Sequence, residues 1–553
     1  MLKKKFVLLA TMVISSLTCS TVFASEFSDV PDNHWAYSEI YNADSIGFMS
    51  GMDDHTFGLG QNVTRAQFVS MIVRMFGWEK ISGTNSFNDV DNSKWYYADI
   101  TTAVEHGVIK ADKTNFRPTD NITREEMAVM LIRALGYDSL AEEAVKADTP
   151  FTDIVSNKGY INLAYDFGIV SGKSATEFVP GGTALREEAA AMMIRCYDKY
   201  NSNIDFLHGF YAFSSYSQKE LAASMDAVSF GWGKMEYSDE KGVVLNTTSF
   251  NENEWCVPSG YEDIISYLKN NNVKTNLNVF LSDSESSAGS AILNSVQNRK
   301  QAVKAIIDEL SVSYKQLGYN PYSGVTIDFE NLRGTELKNS FVLFLKELKA
   351  ELNTLNKTLY VTVQPNMKSG AYFDGYDFKE IGGVADKIIL MAYDYQAKEI
   401  PQSVMESGFT TTPVTPFDEV YYALKTITDS KTGVQDKSKI VLGMSMSNVG
   451  WNVADGKITN AKGLTYSYSE LLNHIETNGN VMYSDKYKNP YLTFESDAGT
   501  TTVWYEDSRS IYDKIKLAEM FGIKSVSIWR LGTIPEYSSS SNLNIWSCIN
   551  DLK

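Results

Sequence analysis

Hydrophobic and polar residues follow two rhythms along this chain. Up to about residue 200, apolar positions recur every three or four residues, as at Phe68, Met71, Ile72 and Met75, and at Met127, Met130, Leu131 and Leu135. That spacing lays a core-facing stripe along a helix. After residue 204, short apolar runs alternate with helical stretches. Candidate strands are Ile204–Phe213, Ala227–Trp232, Lys274–Leu281, Gly324–Glu330, Leu359–Gln364, Lys387–Tyr393, Lys439–Met446 and Ser525–Trp529. Between them, Val303, Ile306, Ile307 and Leu310 share one helix face, and Phe341, Phe344, Leu345, Leu348 and Leu352 another. Strand and helix alternating around eight strands predict an α/β architecture, a TIM-type (β/α)8 barrel over 204–553. The longest insertion, about 447–502, is expected to form a small lobe.

The fourth strand breaks its own rule. Val325, Ile327 and Phe329 alternate with Thr326, Asp328 and Glu330, so two acids leave the same side of a strand that should be nearly all apolar. Barrels of this type keep their chemistry at the carboxyl ends of the strands. The two acids are too close together for the water of an inverting glycosidase. One of such a pair is expected to stay protonated, which suits a general acid on a glycosidic oxygen.

The helical third is a repeat. Phe27-Ser28-Asp29-Val30, Phe87-Asn88-Asp89-Val90 and Phe151-Thr152-Asp153-Ile154 each open a unit, and Thr64-Arg65, Thr123-Arg124 and Leu185-Arg186 each start its amphipathic helix. Thr64 with Gln67, and Thr123 with Glu126, have the spacing of a capping box. The units are expected at 27–78, 87–137 and 151–200.

Composition and charge narrow the function. With 43% hydrophobic residues the chain has material for large cores. Residues 1–24, with Lys3, Lys4 and Lys5 ahead of an apolar run, read as a secretory signal peptide. Removing those lysines takes the net charge from −18 to −21, which argues against nucleic acid and anionic lipid as partners. The cysteines left after cleavage, Cys196, Cys256 and Cys548, and the five histidines show no ligand spacing, so neither metal nor other cofactor is expected.

The three units resemble surface-layer homology (SLH) domains, in the opening Phe-x-Asp-Val, the Trp of the first helix and the Thr-Arg pair. The resemblance implies packing about a pseudo-three-fold axis and binding of an anionic secondary cell-wall polysaccharide. Trp35 with Arg65, and Trp95 with Arg124, match the family's binding positions, and Arg186 is kept in the third unit. There, however, Gly159 replaces the Trp and Leu185 the Thr, so a weak or empty third groove is expected. An Arg at a helix N-terminus makes a local anion site that overall acidity need not abolish.

The barrel resembles glycoside hydrolase family 18, whose fourth strand carries Asp-Gly-x-Asp-x-Asp-x-Glu. Here those positions read Ser323-Gly324-Val325-Thr326-Ile327-Asp328-Phe329-Glu330. Met391-Ala392-Tyr393-Asp394 resembles the sixth-strand motif and Ser527-Ile528-Trp529 the eighth. Phe329-Glu330-Asn331 and Trp529-Arg530-Leu531-Gly532 are similar to the spore-cortex and peptidoglycan N-acetylglucosaminidase subgroup. The resemblance implies a retaining, substrate-assisted glycosidase in which Glu330 is acid and base, Asp328 holds the substrate acetamide nitrogen and Tyr393 its oxygen. Asp394 would bind sugar hydroxyls or steady Asp328, and Trp529 would floor the pocket. Thr326, in place of a motif acid, is expected beside Asp328 with a hydroxyl able to donate to it. The expected function is a secreted, wall-anchored hydrolase of β-1,4-linked N-acetylglucosamine glycans. A catalytically silent, glycan-binding barrel is the alternative, and a structural surface-layer protein the third reading.

Overall fold

The computed structural model describes residues 27–283, 287–366, 374–396, 399–407, 413–533, 536–537 and 542–553. The expected signal peptide at 1–24 lies outside them. No helix among the described residues is long and apolar enough to cross a membrane. The chain forms two compact units: residues up to Ala134 with Pro180–Ile194, and Leu135–Val179 with Arg195–Lys553.

The helices of the repeats are α1 (Tyr37–Ile46), α2 (Arg65–Met75), α3 (Tyr97–Glu105), α4 (Arg124–Ala134), α5 (Asp138–Ala144), α6 (Lys158–Asp166) and α7 (Arg186–Tyr200). In the first unit the opening aspartates explain their motif. Asp29 accepts the backbone N–H groups of Phe57, Gly58 and Leu59 at 2.7–2.9 Å, and Asp89 those of Phe116 and Arg117. The carboxylate thus ties the start of a repeat to its distant loop. Both predicted capping boxes form, Thr64 with Gln67 and Thr123 with Glu126. Leu185 has no hydroxyl, and only its N–H bond to Glu188 remains, at 3.1 Å. A closed ring of backbone bonds links one residue of each repeat: Val63 N–H to Ala184 O, Ala184 N–H to Ile122 O, and Ile122 N–H to Val63 O, at 3.0, 3.2 and 2.9 Å.

In the second unit α5 crosses α6 so closely that a Cβ on Gly159 would sit 1.7 Å from the Ala141 carbonyl. Glycine is required there by packing, whereas Trp35 and Trp95 at the matching positions are exposed. Asn162 Nδ2 clamps the crossing by donating to Ala144 O and Ala147 O.

The strands are β1 (Phe206–Tyr211), β2 (Ala227–Ser238), β3 (Gly242–Asn246), β4 (Lys274–Ser282), β5 (Gly324–Glu330), β6 (Thr358–Val363), β7 (Lys387–Met391), β8 (Ile440–Ser445), β9 (Val449–Ala454), β10 (Lys457–Ile458), β11 (Asn480–Ser484), β12 (Asn489–Ser496), β13 (Gly499–Trp504) and β14 (Ser525–Trp529). Eight of them run parallel in the order β1-β2-β4-β5-β6-β7-β8-β14, and β14 pairs with β1 to close the barrel. All eight candidate strands are members. β3 returns antiparallel on β2, and β9–β13 form an antiparallel sheet in the segment between β8 and β14.

The barrel interior carries an internal polar layer. His208 on β1 bonds Ser527 on β14 at 2.7 Å and Ser229 on β2 at 2.8 Å, and Ser229 bonds Thr326 on β5 at 2.6 Å. Strands β2 and β5 are separated by β4, so this last bond passes through the interior. Burial pushes the His208 pKa down to about 3, leaving the ring neutral, with one nitrogen to donate and one to accept.

Candidate active site

Alternation along β5 puts Thr326, Asp328 and Glu330 on the interior side, one above another toward the carboxyl end. Asp328 is buried, 2% exposed, and burial raises its pKa above the ordinary aspartate value. Two donors oppose that shift: Thr362 Oγ1 on β6 reaches Oδ1 at 2.6 Å, and Asn278 Nδ2 on β4 reaches Oδ2 at 3.1 Å. The carboxylate is therefore oriented from both flanking strands.

Thr326 corrects the sequence reading. Its hydroxyl bonds Ser229 and receives a long bond of 3.4 Å from Asn276, not Asp328. With no surface exposed, it belongs to the layer beneath the mouth. A β-branched hydroxyl residue meets the polar His208 layer, and the burial of that layer is what withdraws it from the site.

Glu330 ends β5, partly exposed at the mouth. The chain is fixed beyond it: Asn331, at φ +63°, gives its N–H to Gln364 Oε1 at 2.7 Å and its Nδ2 to Ser282 at 2.9 Å. Tyr376, which the sequence reading missed, donates to the Phe329 carbonyl at 2.7 Å. Its distance from the motif hid it, and no local signal marks it.

Tyr393, just past β7, packs over Gly443 of β8, where a Cβ would come 3.1 Å from its ring. Burial, then the charges of Asp394, Asp328 and Glu330, push its phenol well up, so it stays protonated and able to donate. Asp394 is exposed at φ +59°. Trp529, partly exposed at the end of β14, meets Phe210 edge-on at 5.1 Å between ring centroids, and the peptide after it is cis. The following residues hold the β1 loop: Leu531 N–H bonds Phe210 O, Arg530 bonds Ser214, and Gly532 bonds Gln218. A cleft of about 900 Å³ beside the β2–β3 hairpin, lined in part by Lys234, Leu281 and Ala288, reaches Ser282.

The arginines of the repeats need a second correction. Arg65 does not serve its own repeat: its Nε donates to Phe116 O at 2.8 Å, its guanidinium lies 4.6 Å over the Phe116 ring, and it pairs with Glu126 at 2.6 Å. Arg186 in turn donates to Phe57 O at 2.7 Å and Ser50 O at 2.6 Å and lies over the Phe57 ring, with no ion pair among the described residues. Arg65 therefore belongs with the repeat of Trp95, and Arg186 with that of Trp35. The helix start of one repeat inserts beside the loop of another, so pairing by sequence within a repeat fails. Arg124 is buried at the start of α4.

Residues 198–533, more than half of the chain, match the model of glycosyl hydrolases family 18, and the chain belongs to that family: its class is that of a glycosidase. The S-layer homology domain matches three times, at 26–69, 86–128 and 150–190, so this member carries SLH repeats ahead of its barrel. Exoglucanase XynX of Acetivibrio thermocellus is 36% identical over 183 residues, 32% of this chain and 16% of that protein. The cortical fragment-lytic enzyme of Bacillus anthracis is 24% identical over 212 residues, 38% of this chain and 46% of that protein. Among solved structures, the spore cortex-lytic enzyme SleL of Bacillus cereus has a TM-score of 0.49 at 17% identity, covering 64% of this chain and 75% of that one. The chain thus spans less than half the length of these curated relatives.

Proposed function

We propose that this protein is a cell-wall-anchored, exported hydrolase of β-1,4-linked N-acetylglucosamine glycans, of the peptidoglycan or chitin type. The observation that supports it best is Asp328, buried and held by two neutral donors one position below the partly exposed Glu330, with the protonated Tyr393 within electrostatic reach of both. In the proposed cycle Glu330 protonates the glycosidic oxygen as the substrate's own acetamide oxygen attacks the anomeric carbon. The leaving sugar departs with that proton, and an oxazolinium ion forms. Asp328 accepts a hydrogen bond from the acetamide N–H and stabilises the positive charge, while the Tyr393 hydroxyl donates to the acetamide oxygen. Glu330, now a carboxylate, takes a proton from the incoming water, and the product keeps its anomeric configuration. Two close carboxylates divide the work by environment, and neither is a nucleophile. Trp529 floors the sugar site, and Asp394 binds sugar hydroxyls.

The domain division proposed is an anchor of three units, 27–78, 87–137 and 151–200, followed by the catalytic barrel at 204–553. The anchor would hold an anionic wall polysaccharide through Arg186 and Arg65, with Trp35 and Trp95 in the repeats whose loops those arginines contact.

The test is turnover of reporter-tagged N-acetylglucosamine oligomers and of purified peptidoglycan by wild type and Glu330→Gln. Hydrolysis by the wild type and loss of at least about a thousandfold in the variant are expected, since the proton donor is removed. Binding by both proteins without cleavage by either would instead favour the silent glycan-binding barrel.

A further inference from the structure

Trp255 stands at the barrel mouth and has no part in the chemistry above. Its indole lies parallel to Phe280 of β4, with centroids 4.3 Å apart and planes 3° apart. Beneath its edge is Gly231, where the register between β2 and β4 slips, and a Cβ there would come 3.3 Å from the indole Cε3 and Cζ3. The loop that carries the indole is built around buried Asn253. Its Oδ1 accepts the Trp255 N–H at 3.0 Å, and its Nδ2 faces the carbonyls of Trp255, Thr248 and Asn246 at 2.9, 3.0 and 3.1 Å. Trp232 and Trp504, by contrast, are core residues exposed by only 1% and 5%, while Trp255 keeps part of its surface open.

The position of the stack matters as much as its rigidity. Phe280 is level with Asp328 on the adjoining strand. Around the rim the order runs Trp529 on β14, Phe210 on β1, Trp255 over β2 and β4, then Glu330 on β5. We infer that Trp255, backed by Phe280 and fixed by Asn253, is a second sugar platform that takes another ring of the same glycan. β-1,4-linked N-acetylated hexopyranoses present flat C–H faces that stack on an indole, and a platform fixed in advance loses little entropy when a ring settles on it. The inference rests on the hydrolase reading and deepens it: the protein discriminates by glycan length.

The experiment compares wild type, Trp255→Ala and Trp255→Phe on N-acetylglucosamine oligomers from three to six sugars. For Trp255→Ala, KM for the hexamer is expected to rise about tenfold and that for the trimer about twofold or less, with Trp255→Phe recovering most of the difference, as loss of one stacking contact requires. An equal change at every length, or none, overturns the platform while leaving the hydrolase intact. Absence of turnover by the wild type at every length overturns the hydrolase reading, and the platform with it. Melting temperatures of the variants guard against a folding defect, and a Trp255→Phe protein that melts like wild type yet shows the Ala phenotype also counts against flat stacking.

Discussion

The Thr362 hydroxyl on β6 donates to Asp328 Oδ1 at 2.6 Å, and this bond from a neighbouring strand, not the residue two positions upstream, sets the orientation of the buried carboxylate. Thr362→Val is expected to lower kcat about ten- to a hundredfold, the worth of a hydrogen bond to a charged group, with KM less affected and Thr362→Ser close to wild type. The bond also favours the ionised form. Removing it raises the Asp328 pKa further, so the acidic limb of the kcat profile moves to higher pH. An unmoved limb in Thr362→Val would refute this role.

Thr326 acts on stability instead. Thr326→Val leaves Ser229 and Asn276 short of a partner in a fully buried layer, and a loss of about 1–3 kcal/mol in urea unfolding is expected. KM should stay within experimental scatter of the wild type; a large KM change would contradict the burial of this residue.

Wall binding should follow the exchanged arginine pairing. Among the described residues Arg186 bonds two carbonyls and makes no ion pair, whereas Arg65 is already paired with Glu126. In co-sedimentation with purified walls, Arg186→Ala is expected to weaken retention about tenfold or more and Arg65→Ala less, as loss of a guanidinium held only by carbonyls, rather than one already ion-paired, implies. Equal retention of both variants and wild type would argue against these anion sites.

Asp507 supplies a pH dependence. It caps the helix Ser508–Met520 through the Ser510 N–H, and burial pushes its carboxyl up to about 6. A raised acid binds its proton more tightly in the folded state, so its contribution is present at low pH and lost as pH rises from about 4 through about 6. The loss is roughly 3 kcal/mol at 1.36 kcal/mol per pKa unit. Asp507→Asn keeps a cap and should flatten that part of the stability profile in unfolding titrations; an unchanged slope would remove Asp507 as its source.

Local pattern made the barrel legible. Each of the eight strands carries its own apolar run, and β5 announced Asp328 and Glu330 by breaking the pattern. What stayed hidden was pairing at a distance. Thr362 and Asn278 lie about fifty or fewer residues from Asp328, yet they meet it only because β4 and β6 flank β5. The arginines deceived for a related reason: similarity within a repeat says where Arg65 and Arg186 start their helices, not whose loop they touch. Gly159 looked like a lost binding residue, while α5 shows a backbone crossing that admits no side chain.

The hydrogen-bonded ring of Val63, Ile122 and Ala184 bears on how such a chain can evolve. Each repeat gives one N–H and takes one with its carbonyl, so deleting any repeat leaves a buried donor on one side of the gap and an acceptor on the other. Recombination between near-identical repeats, which readily changes copy number in open-ended arrays, is penalised in a closed ring. Three is the number at which this one closes.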